Sequence, residues 1–414
     1  MEIFIQRTSL LNTINGVGNV FRAVGVDPFK LNAQKIISKA IKKADYKGAI
    51  PDNITVGLNT LIDSIEKESR INPFGALAIK GLLERTLYGR LKMEQVITAN
   101  PSITKLPIKE PVFIVGMPRT GTTILHALLH KDSAHRSPLA WECLIPHPVP
   151  LLETREDNPS LNSIKKEFQQ LFKLVPDFQK KHYMEANSPQ ECIGINMLDF
   201  NSFQICAQVY APTYLDWFMN RADKLKTMQF HKRFLQYMQS GGVKSERWLL
   251  KTPVHMLRLK ELFEVYPDAK IIMTHRHPAK IVASATSLIS SVRSLYSNHE
   301  DVKRSGREQC KMWSDCFDRF LKDRQQLDKE DQIIDLKFED FVGDQMGTVK
   351  KIYQQFNWQL TEASKLNMEN FLAANPKDKH GVHNYSLEQI GLTNEIINQA
   401  YKDYISVLEK IGTV

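Results

Sequence analysis

Residues 111–123, Pro-Val-Phe-Ile-Val-Gly-Met-Pro-Arg-Thr-Gly-Thr-Thr, constrain the fold of this chain more than any other stretch. Val112 to Val115 is a short run of β-branched and aromatic residues, the pattern of a buried strand. Gly116 and Pro118 break that pattern, and Ile124 to His130 resumes it at helical spacing. A strand, a tight loop and a helix in that order aim free backbone N–H groups and the positive end of a helix at one point. Such a point favours a phosphate-like anion. Further along, Trp248 to Leu250, Lys270 to Thr274 and Gln332 to Lys337 also read as strands, each followed by a helical pattern, and Ala134 to Leu139 reads as another short strand. The alternation predicts an α/β fold, with a mostly parallel central sheet and helices on both faces. Ligands of such sheets sit at the carboxyl ends of the strands.

Ahead of that core, Asn32 to Ala44, Ile54 to Glu68 and Ala76 to Ile97 carry apolar residues three and four apart, punctuated by Asp52, Pro73 and Asn100-Pro101. Residues 1–105 therefore form a helical N-terminal extension on an α/β domain of residues 106–414. Within the domain, about 143–247 reads as a mainly helical, aromatic-rich insertion.

The net charge of +9 and pI near 9.1 suit an anionic ligand, a nucleic acid or a membrane surface. The aromatic residues of 160–220 are not interleaved with clustered Lys and Arg, which argues against nucleic acid. The five cysteines are odd in number and form no C-x-x-C. They predict neither a disulfide framework nor a zinc site, and fit a reducing compartment. The N-terminus lacks the pattern of a secretory signal, and no run of about 18 apolar residues predicts a membrane span. A cytoplasmic location is expected. His275 and His277 flank Arg276, but two ligands alone do not make a metal site, so no metal is expected.

A second anion site is legible in Lys270-Ile-Ile-Met-Thr-His-Arg-His-Pro, a strand that stops at Pro278. Arg276 lies just past the strand end. Pro278 suits the first turn of a helix, which would set Ser284 about two turns in. Arg276 and Ser284 could then grip one phosphate from two sides, the Arg supplying a planar fork of donors.

The loop has the spacing Gly116-x-x-x-x-Gly121, but Thr122 follows where a nucleoside triphosphatase carries Lys. The cation lies inside the loop, as Arg119. Gly-x-Pro-Arg-Thr-Gly-Thr-Thr resembles the phosphosulfate loop of sulfotransferases that use 3′-phosphoadenosine 5′-phosphosulfate (PAPS), enzymes with the topology of nucleotide kinases. The resemblance covers roughly residues 107–392 and is nearest to the broad bacterial-type family. It implies that Gly116, Pro118, Arg119, Thr120, Gly121, Thr122 and Thr123 hold the 5′-phosphosulfate, and that Arg276 and Ser284 hold the 3′-phosphate. It also implies that Lys379, His380 and Gly381, in a C-terminal loop, close over the nucleotide. Phe338 stands where the cytosolic enzymes usually have Tyr; it can stack on adenine but cannot donate a hydrogen bond. A P-loop kinase or other nucleotide-dependent transferase is the competing reading, with Thr122 against it.

Sulfuryl transfer builds charge on the leaving phosphate and the equatorial oxygens, which cations and N–H groups stabilise. Arg119 fits this task, as does Lys251, which matches a family lysine at a strand end. The acceptor must lose a proton to a general base. Three residues compete: Glu142, placed first from its position after Trp141; His255, four residues after Lys251; and Glu191, third, whose alternative role is a partner for a helix dipole. The acceptor is a small molecule, lipid or carbohydrate bearing a hydroxyl or amine, bound by the insertion. Its identity and any self-association stay open.

Overall fold

The computed structural model describes residues 3–176, 185–243, 245–375 and 386–411. Four helices come first: α1 (Ser9–Ala23), α2 (Ala33–Ala44), α3 (Asp52–Glu68) and α4 (Pro73–Ala99). The start of α2 is set by Asn32, whose side chain accepts from the Lys35 N–H. That of α4 is set by Asn72, accepting from the Gly75 N–H at 2.7 Å, with Pro73 in the first turn.

The α/β part begins with β1 (Val112–Gly116), followed by α5 (Thr122–Leu129), the two-residue β2 (His135–Arg136), α6 (Ala140–Leu144), α7 (Pro159–Leu174), α8 (Cys192–Met197) and α9 (Lys224–Gln239). Then come β3 (Arg247–Lys251), β4 (Lys270–His275), α10 (Pro278–Tyr296), α11 (Val302–Gln326), β5 (Ile333–Lys337) and α12 (Lys402–Lys410). The strands form one sheet in the order β2-β3-β1-β4-β5, and each neighbouring pair is parallel. Ile114 lies opposite Lys251, Gly116 opposite Thr274 and His275 opposite Lys337. The strands thus end together along one edge, with β1 in the centre.

Strand β1 is buried along its whole length, as a strand covered on both faces must be. Its side chains alternate between two cores. Val112 and Ile114 meet Leu125, Leu128 and Leu129 of α5 on one face. Phe113 and Val115 belong to a larger core that takes in residues of α2, α3, α4, α9 and α11. The N-terminal helices therefore complete a layer on the sheet and share its core. Of Ala134 to Leu139, His135 and Arg136 join the sheet, Pro138 ends that strand, and Leu139 forms an isolated antiparallel bridge with Pro189. Ser386 and Gln389 form the reciprocal bonds of a capping box, at 3.1 and 3.4 Å, ahead of the 3-10 turn Glu388–Ile390. Of the insertion's aromatic residues, Phe168, Phe200, Phe203, Tyr214 and Phe218 are core, while Phe178 and Tyr183 lie outside the described residues.

Candidate active site

The loop after β1 takes its shape from two glycines. Gly116 has φ +139°, and a Cβ there would sit 2.4 Å from Thr274 Oγ1 and 2.6 Å from the Thr274 carbonyl oxygen, so no side chain fits. Gly121 has φ +82° and caps α5. Between them Thr120 is buried, donates to the Met117 carbonyl at 2.7 Å and meets Thr274 Oγ1 at 2.6 Å. This pins the loop to β4. Arg119 has φ +68°, a left-handed conformation that costs energy in a residue with a Cβ. The bend leaves its side chain exposed at the sheet edge. Pro118 and Gly121 are half-buried, Thr122 is buried in the first turn of α5, and Thr123 is exposed beside it.

The second clamp meets the first. Arg119 Nε donates to Ser284 Oγ on α10 at 3.0 Å, and Arg276 Nη1 donates to the Arg119 carbonyl oxygen at 2.9 Å. The Arg276 guanidinium also lies 4.1 Å from the centre of the Phe338 ring. Phe338 in turn lines the space against Gly121, where a Cβ would approach it to 3.1 Å. Burial lowers the pKa of Arg276 from its ordinary value; Glu339 opposes this and the Arg119 charge adds to it. Two guanidinium groups thus share one corner, and an anion between them would relieve their repulsion.

Sequence reasoning missed what holds Arg276. The Tyr404 hydroxyl, on α12, accepts from the Arg276 N–H at 3.1 Å and donates to the Arg276 carbonyl at 3.0 Å. His275 is buried and bonded to Asp335 at 2.8 Å, and Arg324 holds that carboxylate at 2.9 and 2.8 Å. The strand end is locked from both sides.

The base candidates separate clearly. Lys251 Nζ, at the end of β3, donates to Thr123 Oγ1 at 3.3 Å and pairs with Glu191 Oε1. The Lys251 side chain is 3% exposed and that of Glu191 29%. Glu191 reaches the site because the chain ahead of it is bound to the segment after β2: Gln190 N–H donates to the Pro138 carbonyl at 2.8 Å and Ala140 N–H to the Ser188 carbonyl at 3.0 Å. The carboxylate that the sequence placed third is therefore the one beside the loop.

Glu142 is wholly buried. It accepts from the Leu139 N–H at 2.9 Å and from Arg155 at 3.1 Å, with Arg136 at 3.6 Å. Its carboxylate neutralises two cations and caps α6. His255 is wholly buried too, its ring edge-on to Phe113 and His231. Burial, then the charges of His231 and Arg258, push it well below the usual histidine range. Ligand atoms of Cys192, His231 and His255 lie within 4.8 Å of one another. Three donors are one short of a closed tetrahedral set, and the buried Arg258 charge beside them opposes a cation. Lys379, His380 and Gly381 lie outside the described residues.

A family model described as "Sulfotransferase family" matches residues 111–362. The omega-hydroxy-beta-dihydromenaquinone-9 sulfotransferases Stf3 of Mycobacterium bovis and Mycobacterium tuberculosis are each 28% identical over 337 residues, which is 76% of this chain and 77% of theirs. Among solved structures, sulfotransferase STF9 from Mycobacterium avium is similar with a TM-score of 0.83 at 28% identity, over 91% of this chain and 96% of that one. Sulfotransferase STF1 from Mycobacterium tuberculosis H37Rv gives 0.80 at 29% identity, over 90% and 99%. The family match spans the loop, the Arg276–Ser284 clamp and the Lys251–Glu191 pair. With that geometry and these relatives, the chain belongs to the sulfotransferase family and is a sulfuryl-transfer enzyme.

Proposed function

We propose that the sulfuryl donor is PAPS and that the acceptor is the hydroxyl of a lipid-like alcohol. The observation that carries the donor assignment is the convergence of Ser284 and Arg276 on Arg119, Ser284 accepting from its side chain and Arg276 donating to its carbonyl oxygen. This donor carries its 3′-phosphate and its 5′-phosphosulfate on a single ribose. Arg276 and Ser284 suit the 3′-phosphate, and the loop from Gly116 to Thr123, with Arg119 and the start of α5, suits the 5′ end. Phe338 would offer a face to adenine, and Lys379, His380 and Gly381 would close over it.

Glu191 replaces Glu142 as the proposed base. In transfer, the bond from sulfur to the bridging phosphate oxygen breaks as the acceptor oxygen bonds to sulfur. The acceptor proton passes to Glu191, and adenosine 3′,5′-bisphosphate leaves. Lys251 would turn from Glu191 to the sulfuryl and bridging oxygens, stabilising the charge that grows there while freeing the carboxylate.

The lipid-like acceptor follows the Stf3 relatives, which act on omega-hydroxy-beta-dihydromenaquinone-9. The insertion of residues 143–247 would bind it. All five cysteines are buried and free, which fits a cytoplasmic location. The test is transfer of label from [³⁵S]PAPS to omega-hydroxylated prenylquinones, long-chain alcohols, phenols and sugars. Labelled quinone or long-chain alcohol is the expected product. Labelling of sugars alone would overturn the acceptor assignment, and phosphoryl transfer from ATP would overturn the donor assignment.

A further inference from the structure

Helix α1 carries apolar residues on its solvent side as well as its buried side. Leu11, Asn15 and Gly18 face inward. Leu10, Val17, Val20, Phe21 and Val24 face outward and are 46–70% exposed. At the helical repeat these five fall within an arc of about 100°, which Thr13 alone interrupts with a polar group. Val26, just past the helix, is also exposed. Single exposed apolar residues are ordinary, but a contiguous helix face of them marks an interaction surface.

Charge identifies the partner. Residues 3–26 contain no acidic residue; of their two arginines, Arg7 donates to the Ser294 and Ser297 carbonyls and Arg22 pairs with Asp27, so the attraction falls to the lysines that follow. Residues 3–48 contain eight Lys and Arg against two Asp, a surplus of six out of the chain's nine. Lys30, Lys35, Lys42 and Lys43 are exposed. Helices α1 and α2 rest on the same support, α4: Gly18 of α1 packs against Pro73 at its start, and the carbonyl of Ala44, at the end of α2, accepts from Lys92 and Gln95 near its end. An apolar stripe followed in the chain by a strongly basic helix matches the interface of an anionic bilayer, which takes apolar side chains at headgroup depth and attracts cations.

We infer that α1, with the basic residues that follow it, docks the protein on an anionic membrane surface. The position serves a sulfotransferase with a lipid acceptor. Thr8 donates to the Leu174 carbonyl at the end of α7, and the Ile5 N–H donates to Ser294 on α10. Ser294 lies ten residues beyond Ser284 on the same helix, about 15 Å along its axis. A docked α1 would set the donor clamp within reach of a lipid drawn partly out of the bilayer.

The test is co-sedimentation of the full chain with vesicles of phosphatidylcholine containing roughly one-third phosphatidylglycerol, against phosphatidylcholine alone, in about 0.1 M and about 0.5 M NaCl. The expected result is pelleting with the anionic vesicles at low salt, reduced at high salt. Val20→Asp with Val24→Asp should lower the bound fraction about tenfold or more. Both positions are exposed, and unchanged binding of adenosine 3′,5′-bisphosphate in the double variant shows that it is folded. That readout also keeps a failure of docking distinct from a failure of the donor assignment. Recovery of the wild-type chain in the supernatant, equal pelleting on both vesicle types, or a double variant that pellets like wild type would overturn the inference. So would a self-associating chain that the two substitutions make monomeric while vesicles stay bare.

Discussion

Glu191→Gln is expected to lower kcat by about 10²–10⁴-fold, the usual worth of a general base. The amide keeps the size of the side chain and can still accept from Lys251, so donor affinity should stay within about threefold. Glu142→Gln should behave in the opposite way. Its carboxylate is buried between Arg136 and Arg155, and breaking a buried pair from one side costs about 3–5 kcal/mol. Denaturant unfolding should show that loss, while the folded fraction keeps kcat within about threefold of wild type. If Glu142→Gln instead abolished turnover without loss of stability and Glu191→Gln kept full turnover, the assignment of the base would be wrong.

Arg276→Ala is expected to weaken binding of adenosine 3′,5′-bisphosphate by about 100-fold. Hydrogen bonds between charged partners contribute about 1.5–3 kcal/mol each, and Arg offers a phosphate two of them. The same substitution should leave the affinity for adenosine 5′-phosphosulfate, which lacks the 3′-phosphate, within about threefold of wild type. Arg276→Lys should recover only part of the loss, because an ammonium replaces the charge but neither the fork nor the planar contact with Phe338. Isothermal titration of the three proteins with both nucleotides reads these effects. Equal losses for both would mean that Arg276 shapes the site as a whole and does not select the 3′-phosphate.

The parts of this site that were legible in the sequence are those defined by neighbours along the chain. The strand, loop and helix of 112–129 follow from a run of β-branched residues, two glycines and a proline. The Arg276–Ser284 clamp follows from a strand end, Pro278 and the helical repeat. Both emerge at one sheet edge because the strands are parallel and end in register. What the sequence hid depends on distant contacts. Glu191 and Lys251 are 60 residues apart, and Tyr404 and Arg276 are 128 apart, so no local pattern links them. Glu142 drew attention by its place after Trp141, yet a carboxylate followed by a helix is equally suited to capping, and its arginine partners supplied the deciding charge. His255 follows Lys251 closely in sequence, but the turn Pro253–Arg258 carries it into the core. Helix α1 was unmarked because its outward face is apolar, contrary to the pattern by which a surface helix is read.

The central claim is that the two clamps close on one nucleotide bearing anions at both its 3′ and 5′ positions. Isothermal titration of the wild-type protein with adenosine 3′,5′-bisphosphate, adenosine 5′-monophosphate and ATP in the absence of Mg²⁺ tests it most directly. The account predicts that the bisphosphate binds at least about 100-fold more tightly than the monophosphate, and more tightly than ATP. Equal affinity for bisphosphate and monophosphate, or preferential binding of ATP, would contradict it.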